Sequence, residues 1–178
     1  MTNKDFNNLI NKLTIMSRGI SQEVAEKSVK KAGIVVQDQA RELITSDSGA
    51  LARSVKIKNE VKRGRIKATV YTNSEYAPYY EFGTGPNGKA NHKNISPKAN
   101  PKYRQTGWKI PADAMPVEKA KSYGFRVAYK NGEVDGYYTR GQMARPFMYP
   151  ALHDQEDAIV KIAQMEFMKK IKEICKKW

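Results

Sequence analysis

The residues whose types and spacing come nearest to a reactive site are Gly83-Thr-Gly-Pro-Asn-Gly-Lys89-Ala90, one position short of the phosphate-binding pattern G-x-x-x-x-G-K-[ST]. That pattern works because backbone amides cradle phosphates while the lysine and a following hydroxyl serve phosphate and magnesium. Here Ala90 stands where the hydroxyl is needed. An aromatic segment containing Pro78 replaces the apolar strand that should precede, and polar residues 91–101 replace the helix that should follow. A nucleotide site is therefore excluded, and a flexible turn accounts for the glycines. The two histidines, His92 and His153, are too few for a histidine metal site, and a serine triad would need one of them beside an acid and a serine at a strand-helix elbow, where no G-x-S-x-G is present. Glu156 and Asp157 are adjacent, but neighbours in a helix point to different sides, so they read as a solvated helix start. Cys175 is the single cysteine, which excludes an internal disulfide, and its lysine-rich surroundings hold no base to activate it. No catalytic, metal or cofactor-binding residue is assigned, and no cofactor is expected.

What the chain concentrates instead is packing chemistry, in Tyr76-Ala-Pro-Tyr-Tyr-Glu-Phe-Gly-Thr-Gly85 and Ala144-Arg-Pro-Phe-Met-Tyr-Pro-Ala-Leu152, separated by a long polar insertion. Rings, prolines and small residues fit surfaces together, and tyrosine offers a large apolar area with a polar tip. Tyr76, Tyr79, Tyr80, Glu81, Phe82, Arg145, Phe147 and Tyr149 are the candidate interface residues. Two readings of the tyrosines stay open: they fill a core, or some of them face a neighbouring subunit. Glu81 and Arg145 could form an ion pair joining the two segments.

The elements that must position these motifs can be read from periodicity. Phe6, Leu9, Ile10, Leu13 and Met16 predict a short first helix ending near Arg18-Gly19. A longer helix capped by Ser21 follows, with an apolar stripe of Ala25, Val29, Ala32, Val36, Ala40 and Leu43 that should lie against a sheet. After turn formers at 45–49 the period becomes two. Val55, Ile57 and Val61 alternate with lysines and Glu60, then Ile66, Ala68 and Val70 alternate with Arg65, Lys67 and Thr69. With Arg63-Gly64 as a two-residue loop, Lys62 pairs with Arg65, Val61 with Ile66, Glu60 with Lys67 and Ile57 with Val70.

Residues 86–105 have the composition of a long mobile loop in which weak order is expected. Strand-like pieces follow at 108–110, 125–129 and 136–139, with an Asn-Gly turn between the last two. Ile159, Ile162, Ala163, Phe167, Ile171 and Ile174 predict a buried stripe on a final helix. The expected fold is α+β: a small antiparallel sheet with N-terminal and C-terminal helices on one face and a long loop insertion. A single domain of 178 residues is expected, with helices over 1–46, a hairpin over 53–73, the insertion over 86–142 and the last helix over 150–176. No stretch suits a bilayer span or a secretory signal, so the chain is expected to be used without export and away from membranes.

Charge is concentrated. The net +14 lies in 53–67, with seven basic and one acidic residue, and in 87–145, with twelve basic and four acidic. The hairpin register leaves Lys56, Lys58, Lys62, Arg65 and Lys67 on one outer face, relieved only by Glu60. Such a face gives salt-sensitive affinity for phosphate backbones, so nonspecific nucleic-acid binding is the alternative function. No helix joins a basic face to base-reading side chains, and proximity to DNA or docking on an acidic protein suits so diffuse a surface better.

Three sequence features together are similar to the phage tail-component family typified by gene product ten of lambda-like phages. They are the turn Ser48-Gly49-Ala-Leu51-Ala-Arg-Ser54-Val55, the segment Tyr76 to Thr84 with its Glu-Phe-Gly-Thr ending, and the Pro-Phe motif of Ala144 to Leu152. Thr139-Arg-Gly-Gln142 resembles a feature of longer members. The resemblance implies a non-enzymatic virion protein acting at the head-tail junction or in tail completion, made in the bacterial host cytoplasm. It further implies self-association into a ring, expected to be a hexamer, against neighbouring neck, portal or tail-tube proteins.

Overall fold

A computed structural model describes residues 3–45 and 49–176, with side chains described from residue 22 onward except that of Cys175. The chain clusters into two compact units, residues 1–73 with 150–178, and residues 74–149. Helices and small antiparallel sheets make up both, which is the expected α+β class.

In the first unit, helix α1 runs from Asn3 to Glu42 without a break at Gly19. The expected pair of helices is thus one, because a lone glycine inside a long helical run costs only about 1 kcal/mol relative to alanine and ends nothing by itself. The stripe from Phe6 to Met16 and the Ser21 cap lie outside the described side chains. Beyond them, Val24, Val36, Ala40 and Ile44 are buried, with Ser28 and Gln37 among them. The buried face is turned slightly from the expected one, so Ala25, Val29, Ala32 and Leu43 are only half-buried.

A short helix, α2 (Ala50–Ser54), leads into strands β1 (Val55–Lys62) and β2 (Arg65–Thr72). All four expected pairings hold: Lys62 with Arg65, Val61 with Ile66, Glu60 with Lys67 and Ile57 with Val70. Arg63 and Gly64 both have positive φ, 49° and 74°, as the tight turn of a two-residue hairpin requires. The helix crosses the inner face of the hairpin closely at Gly33, where an added Cβ would come within 2.3 Å of Ile57 Cδ1 and 2.9 Å of the Ala68 Cβ. Gln37 and Arg41 fasten the crossing by donating to the Val55 carbonyl at 2.9 and 2.8 Å.

Helix α7 (Glu156–Cys175) lies antiparallel along α1, since Glu23 pairs with Lys170, Lys31 with Glu166, and Gln155 with Gln39. Two lysines, Lys170 first and then Lys27, hold the Glu23 carboxyl down at about 2. The expected α7 stripe is only partly inward. Ile159, Ile162, Ile171 and Ile174 are half-buried, Ala163 is exposed, and Phe167 is 48% exposed, because the face toward α1 is completed by Glu166 and Lys170.

The second unit begins with α3 (Ala77–Phe82) and α4 (Gly85–Ala90). Its sheet has the order β3-β5-β4, built from β3 (Trp108–Ile110), β4 (Arg126–Lys130) and β5 (Glu133–Thr139). The expected strand pieces all appear, and Asn131-Gly132, with φ of 52° and 84°, makes the expected turn. Helix α5 (Val117–Ser122), entered through Pro116, was not anticipated. Tyr137 is the centre of this unit, 1% exposed, with its hydroxyl donating to the Met115 carbonyl at 2.8 Å. The chain then passes into α6 (Met148–His153).

Candidate functional site

The two aromatic motifs lie together. Pro78 in its first turn and Gly83 at its end delimit α3, the glycine taking φ +72°. Gly83 then runs so close to the second motif that an added Cβ would meet the Ala144 nitrogen at 2.6 Å and the Gln142 oxygen at 2.7 Å. Backbone bonds follow on both sides of this approach. Thr84 N–H donates to the Gln142 carbonyl at 2.9 Å, Asn87 N–H to Arg140 at 3.1 Å, and Arg145 N–H to Tyr80 at 2.8 Å. Side chains add to them: Gln142 N–H donates to Thr84 Oγ1 at 3.0 Å, and Asn87 Nδ2 to the Gly141 carbonyl at 2.9 Å. The glycines therefore serve close backbone contact, which corrects their reading as a flexible turn. Lys89 of the discarded phosphate pattern bonds Gln105 at 2.9 Å.

Glu81 is the electrostatic centre of this junction. It is 6% exposed, and its carboxylate accepts backbone N–H groups from Phe147 at 2.7 Å, Met148 at 3.0 Å and Tyr149 at 3.2 Å. These amides open α6 and have no partner within the helix, so a carboxylate satisfies them where water is excluded. The expected ion pair with Arg145 is replaced by this arrangement. Arg145 is exposed, and its guanidinium carbon sits 5.9 Å above the Tyr80 ring.

The tyrosines differ in burial, and the core reading holds for Tyr80. Tyr80, 3% exposed, packs edge-on against the fully buried Phe147 with centroids 5.9 Å apart. Tyr76 and Tyr79 are 48% and 55% exposed. Both are held in place by Gln142, which accepts from the Tyr76 hydroxyl at 2.9 Å and donates to the Tyr79 carbonyl at 2.7 Å. Phe82 and Tyr149 are half-buried, and Tyr103 donates to the Phe82 carbonyl at 2.8 Å while stacking on His92. Thr84 and Gln142 stand at the ends of the Glu-Phe-Gly-Thr and Thr-Arg-Gly-Gln motifs, but neither they nor Asn87 were named as candidate site residues, since polar residues in coil carry no period.

The basic hairpin face is in place, with Lys56, Lys58, Lys62, Arg65 and Lys67 all exposed. Glu60 bonds Lys58 at 3.0 Å and Lys62 at 3.5 Å, and these lysines, Lys58 foremost, hold its carboxyl below the ordinary value. Among the described residues, Lys56, Arg65 and Lys67 meet no carboxylate. Also among the described residues, no three His, Cys, Asp or Glu side chains converge as a metal site would need, and no helix is long and apolar enough to cross a membrane.

No curated protein and no solved structure matches this chain. The resemblance read from the motifs is borne out over α1, the hairpin and the tyrosine segment: residues 7–83 match the family described as "Bacteriophage HK97-gp10, putative tail-component".

Proposed function

We propose that this chain is a non-catalytic structural subunit of a phage or phage-tail-like particle, seated at the head-tail junction or tail end, where its copies join in a ring. The family indicated by residues 7–83 is one of tail components, whose partners are other phage structural proteins. The observation that carries the finer reading is the outward pair Tyr76 and Tyr79, displayed on a turn already locked to the second motif. A segment fixed before contact loses little conformational freedom on binding, and tyrosine is enriched at the centres of interfaces. The test is a double substitution, Tyr76→Asp with Tyr79→Asp, in cells producing the particle. Loss of the chain from purified particles is expected, with the free protein still folded by circular dichroism. Normal incorporation would overturn the interface, and electron microscopy of wild-type particles without a ring of this chain would overturn the location.

A second reading rests on the hairpin register, which gathers five cations around one acid. Binding of duplex DNA at physiological salt, weakening steeply as salt rises, would favour a nucleic-acid-binding protein. Salt-insensitive or absent binding would leave this face to an acidic protein neighbour.

A further inference from the structure

The end of the three-stranded sheet opens into a cleft of about 570 Å³, a size that accepts a small ligand or the tip of a peptide turn. Its character is set by Tyr123, Phe125, Arg126, Tyr138 and Arg140. The β4–β5 register places Arg126 opposite Tyr138, and the guanidinium carbon stands 5.3 Å over that ring, so the aromatic face steadies the charge. At Gly124, φ +73°, nothing lies within 4 Å of where a side chain would begin, which keeps the mouth open. Among the described residues neither arginine meets a carboxylate. Two such guanidinium forks beside aromatic rings are suited to carboxylates, which they engage through paired N–H donors.

The chain carries the complementary group elsewhere. Asp154, Glu156 and Asp157 are the one place in 178 residues where three carboxylates fall within four positions. Asp154 lies in the turn from α6 into α7 and Glu156 and Asp157 in the first turn of α7, and all three are exposed. Among the described residues Glu156 pairs with His153 alone, at 3.3 Å, and Asp154 and Asp157 meet no cation.

We infer that the arginine cleft of one copy receives the Asp154–Asp157 turn of a second copy, carboxylates against Arg126 and Arg140 and the turn against the flanking rings. Cleft and turn are different surfaces, so the contact is head-to-tail. Contacts of that kind build a closed ring when the rotation between copies returns on itself. The inference rests on the self-association proposed above and adds which surfaces meet.

Charge exchange tests it in the full-length chain, reading copies per purified particle by quantitative mass spectrometry. R126E/R140E is expected to lower incorporation at least tenfold, D154K/D157K likewise, and the four substitutions together to return it to within twofold of wild type. Circular dichroism checks that each variant is folded, and the milder R126Q/R140Q serves if the reversed pair is not, with loss again expected. Normal incorporation of either arginine variant overturns the contact. So does failure of the combined variant to recover, which would instead point the cleft toward an acidic segment of another protein or a nucleic-acid phosphate. Either result leaves the tail-component reading standing, whereas absence of the wild-type chain from particles removes both.

Discussion

Replacing Glu81 by glutamine should loosen the junction of the two motifs far more than any change to Arg145. The carboxylate accepts three backbone N–H groups at 2.7, 3.0 and 3.2 Å and is 6% exposed. Hydrogen bonds to a charged group contribute about 1.5–3 kcal/mol each, and a buried donor left unpaired costs about 1–3 kcal/mol. Glutamine keeps one acceptor oxygen but removes the charge and turns an amide N–H toward other donors, so E81Q should cost roughly 2–3 kcal/mol and Glu81→Ala roughly 3–5 kcal/mol. Arg145→Ala removes an exposed cation over a ring, worth about 0.5–1 kcal/mol. Urea unfolding in a Trp178→Phe background would let Trp108, in β3 of the same unit as Glu81, report the transition. Hydrogen exchange at the Phe147 and Met148 amides gives a local reading of the same bonds. A loss below about 0.5 kcal/mol in E81Q, the ordinary range for surface substitutions, would refute the capping argument. So would an R145A cost equal to that of E81A, which would restore the ion pair.

Gly141→Ala should be more disruptive still, because φ is +86° and the new Cβ would stand 2.0 Å from the Thr84 carbonyl oxygen; a cost above about 3 kcal/mol is expected, and a melting temperature within a degree or two of wild type would contradict the close approach. Gly33→Ala gains helix propensity but drives a Cβ to 2.3 Å from Ile57 Cδ1 and 2.9 Å from the Ala68 Cβ. A net loss of about 1–2 kcal/mol is expected by thermal unfolding, and net stabilisation would show that the hairpin yields freely. The Glu23 carboxyl, lowered from 4.5 to about 2 by Lys170 and Lys27, should support the α1–α7 pairing fully above pH 4.5 and lose that support as pH falls toward 2. Carbon-detected NMR titration should show its midpoint rising in Lys170→Ala, and an unmoved midpoint would deny the lysine's role.

The hairpin was legible residue by residue because a period of two and an Arg-Gly turn permit only one register: a slip by one would turn Val55 and Ile57 to solvent. The long helix was legible as helix but not as one piece, since Gly19 followed by the cap-forming Ser21 carries the marks of a stop and a new start, whereas α1 runs through both. Its buried face includes Gly33 and Gln37, whose size and polarity give no apolar signal although one admits the sheet and the other bonds the Val55 carbonyl. Which rings of the motifs stay outside depends on contacts between residues as far apart as Glu81 and Phe147, 66 positions, and no local pattern encodes such a distance. The charges of Glu81 and Arg145 suggested each other, yet burial favoured the helix-opening amides, which periodicity and motif spacing do not reveal.

The bonds from Thr84 to Gln142 and from Asn87 to Arg140 bring the two ends of the intervening polypeptide side by side. Whatever is threaded between them leaves and returns at one doorway, so segments of different length or sequence can be exchanged there without moving Tyr76 or Tyr79. Related subunits can thus diversify what this cassette contacts while keeping the same hinge-free base.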